Sequence, residues 1–386
     1  MKLDPTLVAV ALLFCCAVSG TAQTPADAME FEHQGKWQEA AEAWKTITVR
    51  NPSDAGAFAS LGVALSKDQK FREAASAYRK ALDLNPKLPG VQLNLGLAEF
   101  KQGNFKPAAA ALRTALAADP SNAQARTLLG LSYYGAHEFA EAIKYLEPAT
   151  KSDPGNLELH HLLAQSCLWA KNYSCALEEF RLLLQQNPDS AETHTLMGEA
   201  LDGLGKTPEA IAEFQAAAQA SPREPNVHFG LGYLYWKSHQ YDDAKREFEA
   251  ELALDPDHAQ ALAYLGDIAM KKNDPDAVTL LRKSMQKKSD IRIAAIDLGV
   301  ILAQLKQYPE AVVALQRAVA LDPAEPDAHY RLAHVYQEMG KTAESQKEFA
   351  KVRELREKAD RADEDMVRKM SSSPPSLSSP QAERPN

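Results

Sequence analysis

An all-α solenoid of about ten stacked helix pairs is the fold predicted by this 386-residue sequence. Three observations predict it. Prolines stand at 52, 86, 120, 154, 188, 222 and 256, each 34 residues after the last, and the series resumes at Pro323 with one residue lost on the way. A Leu-Gly pair keeps the same frame: Leu61-Gly62, Leu95-Gly96, Leu129-Gly130, Leu231-Gly232, Leu265-Gly266 and Leu298-Gly299. Met197-Gly198, Leu163-Ala164 and Leu332-Ala333 take its place in three copies. Further along each copy comes an alanine (Ala74, Ala108, Ala142, Ala176, Ala210, Ala244, Ala311), then a large apolar residue such as Tyr78, Leu112, Leu146, Phe180, Phe214, Phe248 or Leu315. A polar residue followed by proline stops a helix and opens a turn. Between those stops, apolar residues recur at helical spacing in two segments, so each copy is a helix pair. One pair cannot bury its own apolar face, and stacking completes the core.

The elements follow in chain order. Residues 1–22 read as a secretory signal: Leu7 to Val18 carries no charge, Lys2 precedes it, and the small residues Gly20 and Ala22 suit cleavage after Ala22. Cys15 and Cys16 lack the small residue that a lipidation site places before its cysteine. An atypical first copy covers 23–54, with Phe31, Gly35, Ala40, Trp44 and Pro52. Nine copies fill 55–356. The eighth is irregular at 273–291, where Asn273-Asp274-Pro275-Asp276-Ala277 is one residue short and Ser289 replaces the closing proline. That misfit reads either as a deletion tolerated in a turn or as a hinge. A charged helical extension over 357–370 is expected to shield the open edge of the last copy, and the Ser/Pro-rich tail 371–386 is expected to be disordered.

In these positions (Trp or a substitute, Leu-Gly, Tyr, Ala, Phe, Ala, Pro in a 34-residue frame) the chain resembles the tetratricopeptide repeat. The resemblance implies a right-handed superhelix whose concave face, lined by the first helix of each pair, receives an extended peptide or a partner helix. The matching positions are Asn94, Leu97 and Phe100; Leu131 and Tyr134; Gln165, Leu168 and Trp169; Glu199 and Asp202; Phe229, Tyr233 and Trp236; and Tyr264, Asp267 and Met270. Many are aromatic, and an outward aromatic marks binding better than a buried one. The Lys/Asn/Arg clamp that some members close on acidic tails is missing, because Asn94 has Ala59, Val63, Gln124 and Leu128 where basic partners belong.

Composition narrows the function. The hydrophobic share of 45% and the charged share of 25% are ordinary for folded domains. With 43 basic and 52 acidic residues the net charge is -9, which opposes binding to nucleic acid. No nucleotide loop, HExxH, GxSxG or kinase signature occurs, and the repeats leave no room for a catalytic domain, so neither enzyme activity nor a cofactor is expected. His160, His194, His228 and His329 share one frame position and are expected to pack in a seam rather than bind metal. Cys167 and Cys175 flank one turn, and either a disulfide or two separate packing residues suits the spacing. Asn172-Tyr173-Ser174 is a glycosylation acceptor only in a eukaryotic host. Seven basic residues between Lys271 and Arg292 read as a solvated face or as a dock for an acidic partner or anionic lipid.

Together these features predict an exported, periplasmic or secreted, non-catalytic scaffold that binds a protein or peptide. The alternatives are a structural subunit of a secretion or envelope-polysaccharide assembly complex and an accessory subunit of a separate enzyme. Peripheral association with the envelope is compatible with each, and the sequence leaves the oligomeric state open.

Overall fold

The computed structural model describes residues 24–372. The proposed signal segment 1–22 and all but the first two residues of the Ser/Pro tail lie outside the described residues. Among the described residues the regular elements are twenty α-helices, and they fall into two compact units that divide between Pro188 and Asp189.

The first unit pairs α1 (Pro25–His33) with α2 (Trp37–Arg50), α3 (Ala55–Lys67) with α4 (Phe71–Leu84), and α5 (Val91–Lys101) with α6 (Phe105–Ala118). It continues with α7 (Ala123–Gly135) and α8 (Phe139–Ser152), then α9 (Leu157–Trp169) and α10 (Tyr173–Gln186). The second unit pairs α11 (Ala191–Gly203) with α12 (Thr207–Ala220), α13 (Val227–Lys237) with α14 (Tyr241–Leu254), and α15 (Ala259–Lys271) with α16 (Ala277–Lys287). It ends with α17 (Arg292–Gln304) and α18 (Tyr308–Leu321), then α19 (Pro326–Glu338) and α20 (Thr342–Ser372). Within each unit consecutive helices pack on one another. First helices also touch directly, α3 on α5, α5 on α7 and α7 on α9, and in the second unit α13 on α15, α15 on α17 and α17 on α19.

Local chemistry sets the helix ends. Asp54, Asn122, Asn156 and Ser190 cap first helices, each side chain accepting from the backbone N–H three residues on. Between the two helices of every pair one residue has positive φ: Gly35, Gln69, Gly103, His137, Lys171, Gly205, His239, Asn273, Lys306 and Gly340. The chain thereby reverses in a few residues without another turn device.

Close backbone approach explains the small residue of the Leu-Gly pair. A Cβ on Gly62 would lie 2.4 Å from the Tyr78 ring, and one on Gly232 would lie 2.8 Å from Phe248. The sequence places the bulky residue in the seam with the next copy. The structure seats it first over the glycine of its own pair, and Phe214 alone of these also meets a following glycine, Gly230. Glycine makes the groove, and the large side chain of the second helix fills it.

The irregular repeat absorbs its deletion at the start of α16. That helix has 11 residues where α14 and α18 have 14, and an Asp274-Pro275-Asp276 turn stands where seven of the other nine second helices open with an aromatic residue. Ser289, in place of proline, accepts from Arg317 through its carbonyl at 2.9 Å and its hydroxyl at 3.1 Å. Beside the short α16, α15 and α17 contact each other more extensively than any other successive first helices within either unit.

The end of the chain departs from expectation. Helix α20 runs unbroken for 31 residues, and residues 356–365 are exposed all round, so this extension does not lie over the last pair as a shield. Phe349, earlier in the same helix, instead packs against Tyr330 and His334, with ring centroids 6.0 and 5.2 Å away.

Candidate binding faces of the first helices

Equivalent residues do equivalent work inside the pairs. His160, His228 and His329 set Nδ1 at 2.5, 2.7 and 2.6 Å from Glu179, Glu247 and Glu348 on the second helix. Each also faces, through Nε2, the carbonyl of the proline six residues earlier, at 3.2 or 3.3 Å. His194 repeats the bond to Glu213 at 2.6 Å. The histidines therefore pin first helix, second helix and preceding turn together. Among the described residues no group of three or more His, Cys, Asp or Glu side chains is placed to hold a metal ion.

In the first unit, Asn94, Leu97, Phe100, Leu131, Tyr134 and Gln165 are half-buried along α5, α7 and α9. Leu168, grouped with them from the sequence, is 6% exposed and faces the core, so it is corrected from a contact residue to a packing residue. Trp169 is the opposite case, at 45% exposed. Its ring lies 4.7 Å from Phe139 and 5.8 Å from Tyr134, whose hydroxyl donates to the Gln165 side chain. The result is an open aromatic platform with a fixed amide beside it. Phe139 opens the second helix α8 and so lies outside the first-helix positions to which the resemblance points. The signal was present, since second helices open with Trp37, Phe71, Phe105, Phe139, Tyr173, Tyr241 and Tyr308 in the repeat frame.

Behind this platform Cys167 and Cys175 are joined by a disulfide, with Cα atoms 5.8 Å apart. It ties the end of α9 to the start of α10.

The second unit presents a different face. Glu199 is exposed, and Asp202 accepts from Lys237 at 2.7 Å. Phe229, Tyr233, Trp236 and Tyr264 are half-buried and packed on each other, with Trp236–Tyr264 at 4.8 Å and Tyr233–Tyr264 at 5.6 Å. Burial pushes the Tyr264 hydroxyl up to about 12. Trp236 Nε1 donates to Asp267, which is 2% exposed and also takes Lys271. These rings form a joined wall, so much of their surface serves α13–α15 packing.

The basic cluster is largely neutralised across repeats. Lys272 pairs with Asp242, Arg282 with Glu310, Lys287 with Asp257 at 2.6 Å, Lys288 with Asp290 at 3.8 Å and Arg292 with Asp322 at 3.7 Å. Lys283 donates to the Pro256 carbonyl at 2.8 Å. On this solvated face the Lys272–Asp242 and Arg282–Glu310 pairs tie neighbouring helix pairs.

Comparison with known proteins adds the following. Family models described as tetratricopeptide repeat match residues 65–131, 133–200 and 203–250, residues 27–89 and 229–284, and residues 326–358. A further model, described as TPR repeat, matches 299–340. No curated protein matches the chain. Among solved structures, yeast Tom70 is 15% identical with a TM-score of 0.40, over 86% of this chain and 91% of that one. YrrB, described as a TPR protein with an unusual peptide-binding site, is 20% identical with a TM-score of 0.39, over 47% and 93%. MamA of Desulfovibrio magneticus RS-1 is 18% identical with a TM-score of 0.40, over 44% and 95%.

Proposed function

The chain belongs to the tetratricopeptide repeat superfamily, and on that premise we propose that it is a non-catalytic scaffold of the cell envelope that holds partner protein segments against its first helices. The observation that carries the reading is the platform of Trp169, Phe139 and Tyr134. A large aromatic left 45% exposed beside a fixed amide offers apolar contact area and orientation together, as at the anchor points of protein interfaces. Export is part of the proposal: the apolar segment before Ala22 favours it, and so does the Cys167–Cys175 bond, which suits an oxidising compartment.

Two measurements test the reading. A photo-reactive side chain at position 169, in native cells, is expected to cross-link a discrete envelope protein, and one at exposed Val313 on α18 is not. No adduct at 169, or identical adducts from both positions, counts against the platform. Mass spectrometry of the mature chain is expected to find Gln23 at its start; an uncleaved chain counts against export.

A further inference from the structure

We propose that Asp267 and Asp297 form a proton-held clasp that joins α15 to α17 across the shortened repeat and loosens when the proton is lost. In the repeat frame Asp267 stands where other copies have Leu97, Leu131, Gln165 and Tyr233, and Asp297 stands where they have Asn94 and Tyr264. Both therefore belong to the face made by the first helices. The extensive contact between α15 and α17 buries them, leaving Asp267 2% and Asp297 7% exposed.

The two carboxyls are unequally served. Asp267 accepts from Trp236 Nε1 through Oδ2 at 2.6 Å and from Lys271 through Oδ1. Asp297 Oδ2 is buried without a hydrogen-bond partner, and its carboxyl stands within hydrogen-bonding reach of Asp267. Two adjacent buried carboxylates repel, whereas one proton between them converts repulsion into an O–H···O bond. Burial, and then the Asp267 charge, push Asp297 up to about 7, while Lys271 on α15 and Arg331 on α19 pull it down. Arg331 is itself engaged, donating to Asp327 at 2.9 Å. The other neighbours, α16 and α18, meet α17 through apolar groups, among them Leu281, Met285, Ala311 and Leu315.

The direction of the pH effect follows. When the clasp opens, Asp297 is solvated and returns towards its ordinary value of 3.8. The closed state binds the proton more tightly, so closure is most favoured below that value. Between there and about 7, opening becomes about tenfold easier per pH unit, and above 7 it levels off.

Hydrogen exchange on the full chain at pH 5, 6, 7 and 8, corrected for intrinsic rates, tests this. In the wild type the opening equilibrium of amides in 262–271 and 294–302 is expected to rise about fiftyfold from pH 5 to 7 and only about twofold from 7 to 8. Amides in 95–101 serve as the reference that does not follow this profile. Asp297→Asn supplies an N–H donor to Asp267 without titrating, and its profile is expected to be flat. A pH-independent wild type, or an Asp297→Asn profile that tracks the wild type, overturns the clasp. The wild-type profile decides by itself if the variant does not fold.

Discussion

Six of the ten positive-φ residues between paired helices carry a side chain: Gln69, His137, Lys171, His239, Asn273 and Lys306. In the left-handed region a Cβ crowds the carbonyl that follows, at a cost of about 1–2 kcal/mol that glycine avoids. Lys306→Gly is therefore expected to stabilise the chain by about 1 kcal/mol, less what glycine's freedom in the unfolded chain removes, and the urea midpoint of 17–18 pair unfolding reads it. The glycines inside first helices obey the opposite rule. Gly62→Ala places a methyl 2.4 Å from the Tyr78 ring, and a loss of about 1–3 kcal/mol is expected in the urea unfolding of the α3–α4 pair. Sequence reasoning reached Gly62 because its Leu-Gly frame repeats. It did not reach Gln69 or Lys306, because nothing in a glutamine or a lysine announces a left-handed backbone.

In four of the ten pairs, a histidine–glutamate bond joins first and second helix with almost the same geometry. Removing one partner leaves a half-buried glutamate without its donor, which costs about 1–3 kcal/mol. His228→Ala and His329→Ala are each expected to destabilise by that amount. Because their pairs are not neighbours, the double variant is expected to lose the sum within about 0.5 kcal/mol by denaturant titration. A large shortfall from additivity would mean that the two ties share a common strain. The helix pairs and their seams were legible from periodicity, and so was the histidine position. Its glutamate partner, 19 residues on, was not, because a bond between two helices depends on their rotation about each other. The aromatic wall of Phe229, Tyr233, Trp236 and Tyr264 is less open than its repeat positions imply for the same reason: repeat position tells which way a residue faces, whereas ring-on-ring packing decides how much of it stays accessible.

Within each unit the pairs stack without a central core, and each pair draws its stability from its neighbours. Reduction of the Cys167–Cys175 bond is accordingly a local event. Its short loop constrains the unfolded chain by about 2–3 kcal/mol, so reduction is expected to speed exchange in α9 and α10 while amides of α17 to α19 keep their rates. Equal loss of protection in both regions would contradict nearest-neighbour stability.

The missing residue of the eighth repeat also has a consequence for how such a chain tolerates change. Within a helix, one deletion would rotate everything after it by about 100° and turn core residues outward. Taken from the turn before α16, it leaves the phase of every later helix intact, and Leu298-Gly299 and Leu332-Ala333 still fall on their seams. The turns thus act as firebreaks between repeats, confining an error in length to the copy in which it occurs.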